Sequence, residues 1–122
     1  EVNMLDCREK DEFEGRKPLA IPANGAPGAR LHGSINVPLS SMIAPIGELR
    51  SAEEILQVLM EAGFDPAKLT YAMGNDGMQA ALLGLALEKA GVMWCLYDGG
   101  LREVATRAPF LIRASGEEKR KE

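Results

Sequence analysis

Short, largely apolar runs recur along the chain and are separated by longer segments that mix apolar and charged residues. The runs cover residues 2–5, 35–37, 69–73 and 93–97, and turn-forming or charged residues follow them. That length and those flanking residues are typical of buried β-strands. Strand and helix signals alternate at least three times, so the pattern predicts strands connected by helical segments.

Two of the helical segments have clear ends in the sequence. Ser51 and Glu54 form a capping box that begins a helix with apolar positions at 55, 56, 58, 59 and 62, and Gly63 ends it. A second helix, residues 78–90, is apolar on nearly all sides and is predicted to be the most buried one. Two shorter helices are predicted within 9–14 and over 101–107.

A long segment, residues 16–34, interrupts this alternation. It contains three prolines and three glycines with little periodicity, which predicts a long loop without regular structure. Strands that alternate with helical crossovers imply a central parallel sheet with helices on both faces, so the predicted class is a single α/β domain. We assign that domain to residues 1–108, and an extension with a charged tail to residues 109–122.

Composition narrows the choice of partners and compartment. The chain has 122 residues, 14 basic against 18 acidic side chains and a net charge of −4, which argues against nucleic-acid binding. No stretch approaches the roughly 20 apolar residues of a spanning helix, so membrane insertion is not expected. Two cysteines far apart, at 7 and 95, fit a reduced compartment better than a disulfide framework. The protein is predicted to be intracellular, unless a targeting segment lies outside these residues.

Candidate chemistry lies in the loops that follow the predicted strands, because parallel sheets bind ligands at the carboxyl ends of their strands. These loops are Asp6-Cys7-Arg8, Gly74 to Gly77 and Asp98 to Gly100. The second loop leads directly into a helix, where backbone N–H groups and the helix dipole can hold an anion or lower the pKa of a thiol.

The order of motifs along nearly the whole domain resembles the rhodanese family, most closely the C-terminal domain of tandem sulfurtransferases that act on thiosulfate or mercaptopyruvate. The motifs that carry this resemblance are Leu5-Asp6-Cys7-Arg8, Phe13-Glu14-Gly15, Gly33 to Leu39, Ser51 to Leu56, Gly77 to Ala81 and Tyr97-Asp98-Gly99. Each motif alone is weak, whereas their common order and spacing favour this fold.

The resemblance places the family's six-residue active loop at Gly74-Asn75-Asp76-Gly77-Met78-Gln79. Its first position carries, in active relatives, the cysteine that becomes a persulfide. Glycine cannot form a persulfide, and the neighbouring thioether of Met73 cannot replace a thiol. Asp76 adds a carboxylate that would repel anionic thiosulfate, and Asp76 or Asn75 is interpreted as the N-cap of the following helix.

Other positions also depart from the active relatives. Glu12 stands where mercaptopyruvate-type relatives use an arginine for the substrate carboxylate, so the charge is reversed. The lone histidine, His32, is out of register with the family's histidine motif and is interpreted as a surface or capping residue. Gly100, Leu101 and Val104 change one wall of the family's pocket. Asp6, Arg8 and Asp98 match, and we interpret them as candidate supporting residues.

The two cysteines differ as candidate thiols. Cys7 lies at the carboxyl end of the first strand beside Arg8 and is the candidate alternative thiol, although a small buried apolar residue would look the same. Cys95 is predicted to lie in the core, in the middle of a buried strand. One histidine and two isolated cysteines provide no metal-ligand spacing, and the glycine turns lack a phosphate-loop pattern, so neither a metal nor a cofactor is expected.

These observations predict a catalytically inactive rhodanese-homology domain that acts as a structural or interaction module with protein partners, as in a subunit of a larger assembly. They cast doubt on a small-molecule substrate. The alternative is a sulfurtransferase or persulfide carrier that uses Cys7 or the cysteine of a sister domain. A third possibility is binding of a cation or a peptide end through Asp76 and Asp98. The resemblance implies a mitochondrial or cytoplasmic location.

Overall fold

A computed structural model describes residues 2–16, 29–75, 77–97 and 112–114. Within these ranges, the chain forms ten elements. In chain order they are β1 (Val2–Asp6), α1 (Lys10–Phe13), β2 (Ala29–Leu31), β3 (Ile35–Asn36), a short 3₁₀ helix (Leu39–Met42), α2 (Ala52–Ala62), β4 (Leu69–Met73), α3 (Gly77–Lys89), β5 (Cys95–Leu96) and β6 (Ile112–Ala114).

The centre of the fold is a parallel sheet with the strand order β3-β1-β4-β5. β1 and β4 pair over their full length, from Val2 opposite Leu69 to Asp6 opposite Met73. The carboxyl ends of both strands therefore meet at one edge of the sheet. The predicted α/β class with a central parallel sheet is confirmed.

The core lies between this sheet and the helices. Its fully buried side chains come from β1, β4, α2, α3 and the connection after β3, and include Leu5, Ala72, Ile55, Leu59, Leu83 and Val37. β1 and β4 each bury three of their five residues, as expected for the inner strands of a parallel sheet covered by helices. These two strands form the rigid base from which the candidate loops extend.

The ends of α2 follow the sequence signals. The Ser51 side chain accepts a hydrogen bond from the Glu54 N–H, and the Glu54 carboxylate accepts one from the Ser51 N–H. The Ser51 backbone N–H, which donates to the Glu54 carboxylate, and next the Ser51 hydroxyl hold the pKa of Glu54 below its ordinary value, because hydrogen bonds to a carboxylate favour its charged form. Gly63 ends the helix in the left-handed region, with φ of 102°.

Helix α3 buries more residues than α2, as predicted, and packs on β4 and β5. Ala80, Leu83, Gly84, Ala86 and Leu87 are buried, whereas α2 buries only Ile55 and Leu59. The opposite side of α3 leaves three large apolar side chains exposed: Met78, Leu82 and Leu85.

Two predictions about regular structure are wrong. Residues 93–97 do not form a five-residue buried strand, because β5 contains only Cys95 and Leu96 and both are exposed. In the described part of the sheet, β5 pairs with β4 alone and is an edge strand, so Cys95 is not a core residue. Residues 29–31, predicted to be loop, form β2 and pair antiparallel with β6. The predicted helix over 101–107 lies outside the described residues.

Strand β6 lies beyond residue 108, in the segment that we assigned to an extension, and its three residues pair with Ala29–Leu31. The division at residue 108 stays a prediction. Among the described residues, no helix has both the length and the apolar character needed to cross a membrane.

The contact between α3 and the segment before β5 gives a test of this packing. A Cβ at Gly84 would overlap the six-membered ring of Trp94. We expect Gly84→Ala to lower the free energy of unfolding by about 2 kcal/mol, because overpacking outweighs the better helix propensity of alanine. Chemical denaturation measures this change.

The matched control is Gly84→Ala in a Trp94→Ala background, where the ring is gone. There the substitution should stabilise the protein by up to about 1 kcal/mol, the helix-propensity difference alone. The same loss of stability in both backgrounds would contradict the packing of Trp94 against Gly84.

Candidate functional site

The loops that follow β1 and β4 lie side by side at the carboxyl edge of the sheet. The Cys7 N–H donates a hydrogen bond to the Met73 carbonyl over 2.8 Å, which continues the strand pairing by one residue. Cys7, Arg8, Gly74 and Asn75 are all buried. The structure thus brings together the first two of the three predicted loops, whereas Asp98 and the rest of the third loop lie outside the described residues.

Asp6 and Arg8 form a buried ion pair beneath these loops. The Arg8 Nη2 lies 2.9 Å from Asp6 Oδ2, and the Arg8 Nε donates to both carboxylate oxygens over 3.1 Å. The Arg8 backbone N–H donates to the same carboxylate over 3.0 Å, so the pair also holds the turn after β1. Both side chains are almost fully buried. The pair thus lies at the turn after β1, and its supporting role for the candidate loops stays a prediction.

The side-chain amide of Asn36 connects this turn to β3. Its Nδ2 donates to the carbonyl oxygens of Asp6 and Arg8, over 3.1 Å and 2.9 Å. Because Asp6 also pairs with Asn36 in the sheet, three strand ends are held in one hydrogen-bonded arrangement. The Asp6-Cys7-Arg8 turn therefore has a fixed position relative to the loop after β4.

At the start of the candidate active loop, both the backbone N–H and the side chain of Asn75 donate hydrogen bonds to other side chains. The backbone N–H of Asn75, one donor of the predicted anion cradle, donates to Gln79 Oε1 over 2.8 Å. The Asn75 side chain donates to Glu12 Oε2 over 3.2 Å. Asp76, the other predicted N-cap, lies outside the described residues. The Gln79 amide oxygen thus occupies a position from which a bound anion would accept the Asn75 N–H.

A side chain at position 74 would overlap its present neighbours. A Cβ at this position would lie 2.8 Å from both Cβ and Oε1 of Gln79, and 3.0 Å from the sulfur of Cys7. Gly74 is not among the glycines with positive φ, so its backbone angle is one that other residues adopt. Glycine is required here by close packing rather than by the backbone conformation.

The remaining predicted residues take different places. Gly77 begins α3, and the side chain of Met78 is largely exposed. Glycine has no side chain and methionine has a thioether, so neither residue provides a thiol to the loop. His32 is exposed in the turn after β2. The neighbouring Arg30 guanidinium lies 4.7 Å from the centre of the Phe13 ring, beside α1. Within the described ranges, no group of three or more His, Cys, Asp or Glu side chains could hold a metal ion.

The four parallel strands and the loop that leads from β4 into α3 define an α/β domain related to the sulfurtransferases. The family profile described as Rhodanese-like domain matches residues 1–107, and the chain belongs to that family.

Similar proteins include several sulfurtransferases. The putative thiosulfate sulfurtransferase mpst-1 of Caenorhabditis elegans is 31% identical over 115 residues, which cover 92% of this chain and 35% of the relative. The crystal structure of Tum1 from Saccharomyces cerevisiae superposes with a TM-score of 0.78 and 27% identity, over 93% of this chain and 40% of Tum1.

A third relative is a subunit of an assembly. The sub-stoichiometric sulfur transferase subunit of yeast mitochondrial complex I superposes with a TM-score of 0.75 and 29% identity. The match covers 89% of this chain and 36% of that subunit. The chain therefore spans between a third and two fifths of the length of these three relatives.

Three features of the site were not predicted from the sequence: the contact between Cys7 and position 74, the Gln79 bond to the Asn75 N–H and the Glu12 bond to Asn75. The first had a signal, because two parallel strands that end in register place the residues after their ends side by side. The other two depend on side-chain conformations, for which the sequence carries no local signal.

The ion pair beneath the loops provides a stability test. Asp6→Asn leaves the Arg8 charge buried without its carboxylate, and we expect the free energy of unfolding to fall by about 3–5 kcal/mol. The control is Asp11→Asn, which breaks an exposed pair with Arg16 and should cost less than about 1 kcal/mol. Urea denaturation of both variants measures the difference, and equal small losses would show that the buried pair does not support the fold.

Proposed function

We propose that this chain is a catalytically inactive rhodanese-homology domain that acts as a structural or interaction module within a larger assembly. The observation that carries the proposal is the glycine at position 74, which the resemblance aligns with the nucleophilic cysteine of active relatives. Its surroundings crowd any side chain there, since Cys7 and Gln79 pack against the site where a Cβ would stand. A loop packed in this way has no group that can form a persulfide.

The charge at the loop supports the same proposal. Glu12 lies on α1 and its carboxylate accepts a hydrogen bond from Asn75, the second residue of the loop. A carboxylate at this position repels an anionic sulfur donor such as thiosulfate, where an arginine would attract it. Asp76, by its place in the sequence, adds a second negative charge to the same loop.

The relatives support a role with protein partners. One of the similar structures is a sub-stoichiometric subunit of mitochondrial complex I, so a rhodanese fold occurs in such a subunit. The relatives are also more than twice as long as this chain, so in them the domain occurs together with further regions of protein. We infer that the present domain contacts protein regions of a similar kind in its partners. We accordingly propose protein partners and a mitochondrial or cytoplasmic location, and the glycine at position 74 argues against a small-molecule substrate.

A turnover assay with thiosulfate and cyanide tests the loss of activity. We expect thiocyanate to form no faster than in a reaction without protein, because no thiol occupies the first loop position. An active sulfurtransferase measured in parallel shows that the assay works. Thiocyanate formation well above the blank, abolished by Cys7→Ser and retained by Cys95→Ser, would contradict the proposal.

A second candidate function is sulfur acceptance at Cys7. The observation that favours it is that the Cys7 sulfur lies 3.0 Å from the Cβ position of residue 74 and so borders the site of the missing nucleophile. In such a step the Cys7 thiolate would attack the outer sulfur of thiosulfate, a new S–S bond would form and sulfite would leave. Burial of Cys7 opposes this attack, because only 2% of the residue is exposed.

Mass spectrometry after treatment with a sulfur donor separates the two candidates. The inactive domain should carry no added sulfur at Cys7, whereas a persulfide carrier would gain about 32 Da on the peptide that contains Cys7. Cys95 is exposed and provides the control for nonspecific modification. An adduct that appears at Cys7 in the Cys95→Ser variant would favour the second candidate.

A further inference from the structure

The space beside Gly74 is filled from two directions. From the turn after β1, the Cys7 sulfur approaches to 3.0 Å of the Cβ position of residue 74, and from α3 the Cβ and Oε1 of Gln79 approach to 2.8 Å. These distances are shorter than the roughly 3.5–4.0 Å of ordinary van der Waals contact. A side chain at position 74 therefore requires its neighbours to move or to form a bond with it.

A thiol at position 74 would have a bonding partner within reach. In a disulfide, each Cβ lies about 3 Å from the sulfur of the other cysteine, as follows from an S–S bond of about 2.05 Å and a tetrahedral bond angle at sulfur. The distance of 3.0 Å from the Cys7 sulfur to the Cβ position of residue 74 matches this value. The hydrogen bond from the Cys7 N–H to the Met73 carbonyl joins the two chain segments directly beside this contact.

We propose that Cys7 and Gln79 keep position 74 as glycine, and that Cys7 captures any thiol introduced there in an intramolecular disulfide. A single Gly74→Cys substitution then yields an oxidised, inactive loop rather than a sulfurtransferase. This inference rests on the proposed function only in taking position 74 as the place of the nucleophile. The disulfide geometry itself depends on how β1, β4 and Gln79 pack around position 74, and not on whether the chain is catalytically inactive.

The oxidation needs an acceptor for two electrons, and we choose diamide, a small diazene. The thiolate at position 74 adds to the N=N bond, and the Cys7 thiolate then attacks the sulfur of this adduct. An S–S bond forms, the S–N bond breaks, and the two thiols lose two electrons and two protons to the diazene, which leaves as a hydrazine. The two thiols are the only groups of the protein that react.

The experiment uses a Cys95→Ser background, so that the exposed thiol does not react. In G74C/C95S, diamide should convert both remaining thiols into one internal link, seen as a peptide pair that joins residues 7 and 74. The matched control, G74C/C95S/C7A, has a single thiol, so the same diamide treatment without a reductant should give no internal link. A folded G74C/C95S protein that shows no link between residues 7 and 74 would overturn the proposal.

A second measurement covers the case in which Gly74→Cys prevents folding. We expect Gly74→Ala to reduce the folding equilibrium constant by a factor that is at least threefold smaller in a Cys7→Ala background, as a double-mutant cycle measures. Equal factors in the two backgrounds would show that Cys7 does not crowd position 74. Sulfurtransferase activity of the unmodified chain would contradict the proposed function alone, because these variants test only the packing at position 74.

Discussion

The parallel pairing of β1 with β4 is the constraint on which the rest of the structure depends. The two strands pair in register over five residues, and both bury most of their side chains between the helices. Since both strands end at the same level, Cys7 and Gly74 become neighbours although 66 residues lie between them in the chain. The buried Asp6 and Arg8 pair then holds the turn after β1 in this position.

The candidate site follows from that neighbourhood. In an active loop, a thiolate at the first position would accept hydrogen bonds from the N–H groups at the start of the helix. Here the Gln79 amide oxygen accepts the hydrogen bond of the Asn75 N–H. The Cys7 sulfur fills space beside Gly74 that a larger side chain would take. Side chains of the protein, Gln79 and Cys7, thus lie where an anionic ligand of the loop would bind. Glu12 adds a charge of the same sign as that ligand.

Patterns within a few residues predicted two kinds of element: helix ends that are stabilised by neighbouring residues, and strands formed by a continuous apolar run. The capping box at Ser51, the stop at Gly63 and the buried run Leu69–Met73 are each signalled within a few residues, and each is found in the structure. The pairing of Ala29–Leu31 with Ile112–Ala114 joins segments about 80 residues apart, so no local pattern signals it. In addition, the prolines and glycines around the first segment favoured the prediction of a loop there. The exposure of Cys95 was missed for a related reason, because an apolar run does not show whether its strand lies at the centre or the edge of a sheet.

The sequence by itself determined the class of fold, the places of the loops and the glycine at position 74, because these depend on periodicity, turn residues and residue identity. Only the tertiary structure decided how that glycine is surrounded. Which atoms reach the Cβ position depends on strand register and side-chain packing, and both arise when distant segments come together. The two cysteines, equivalent in a count, are thereby separated into a buried one beside the loop and an exposed one at the edge of the sheet.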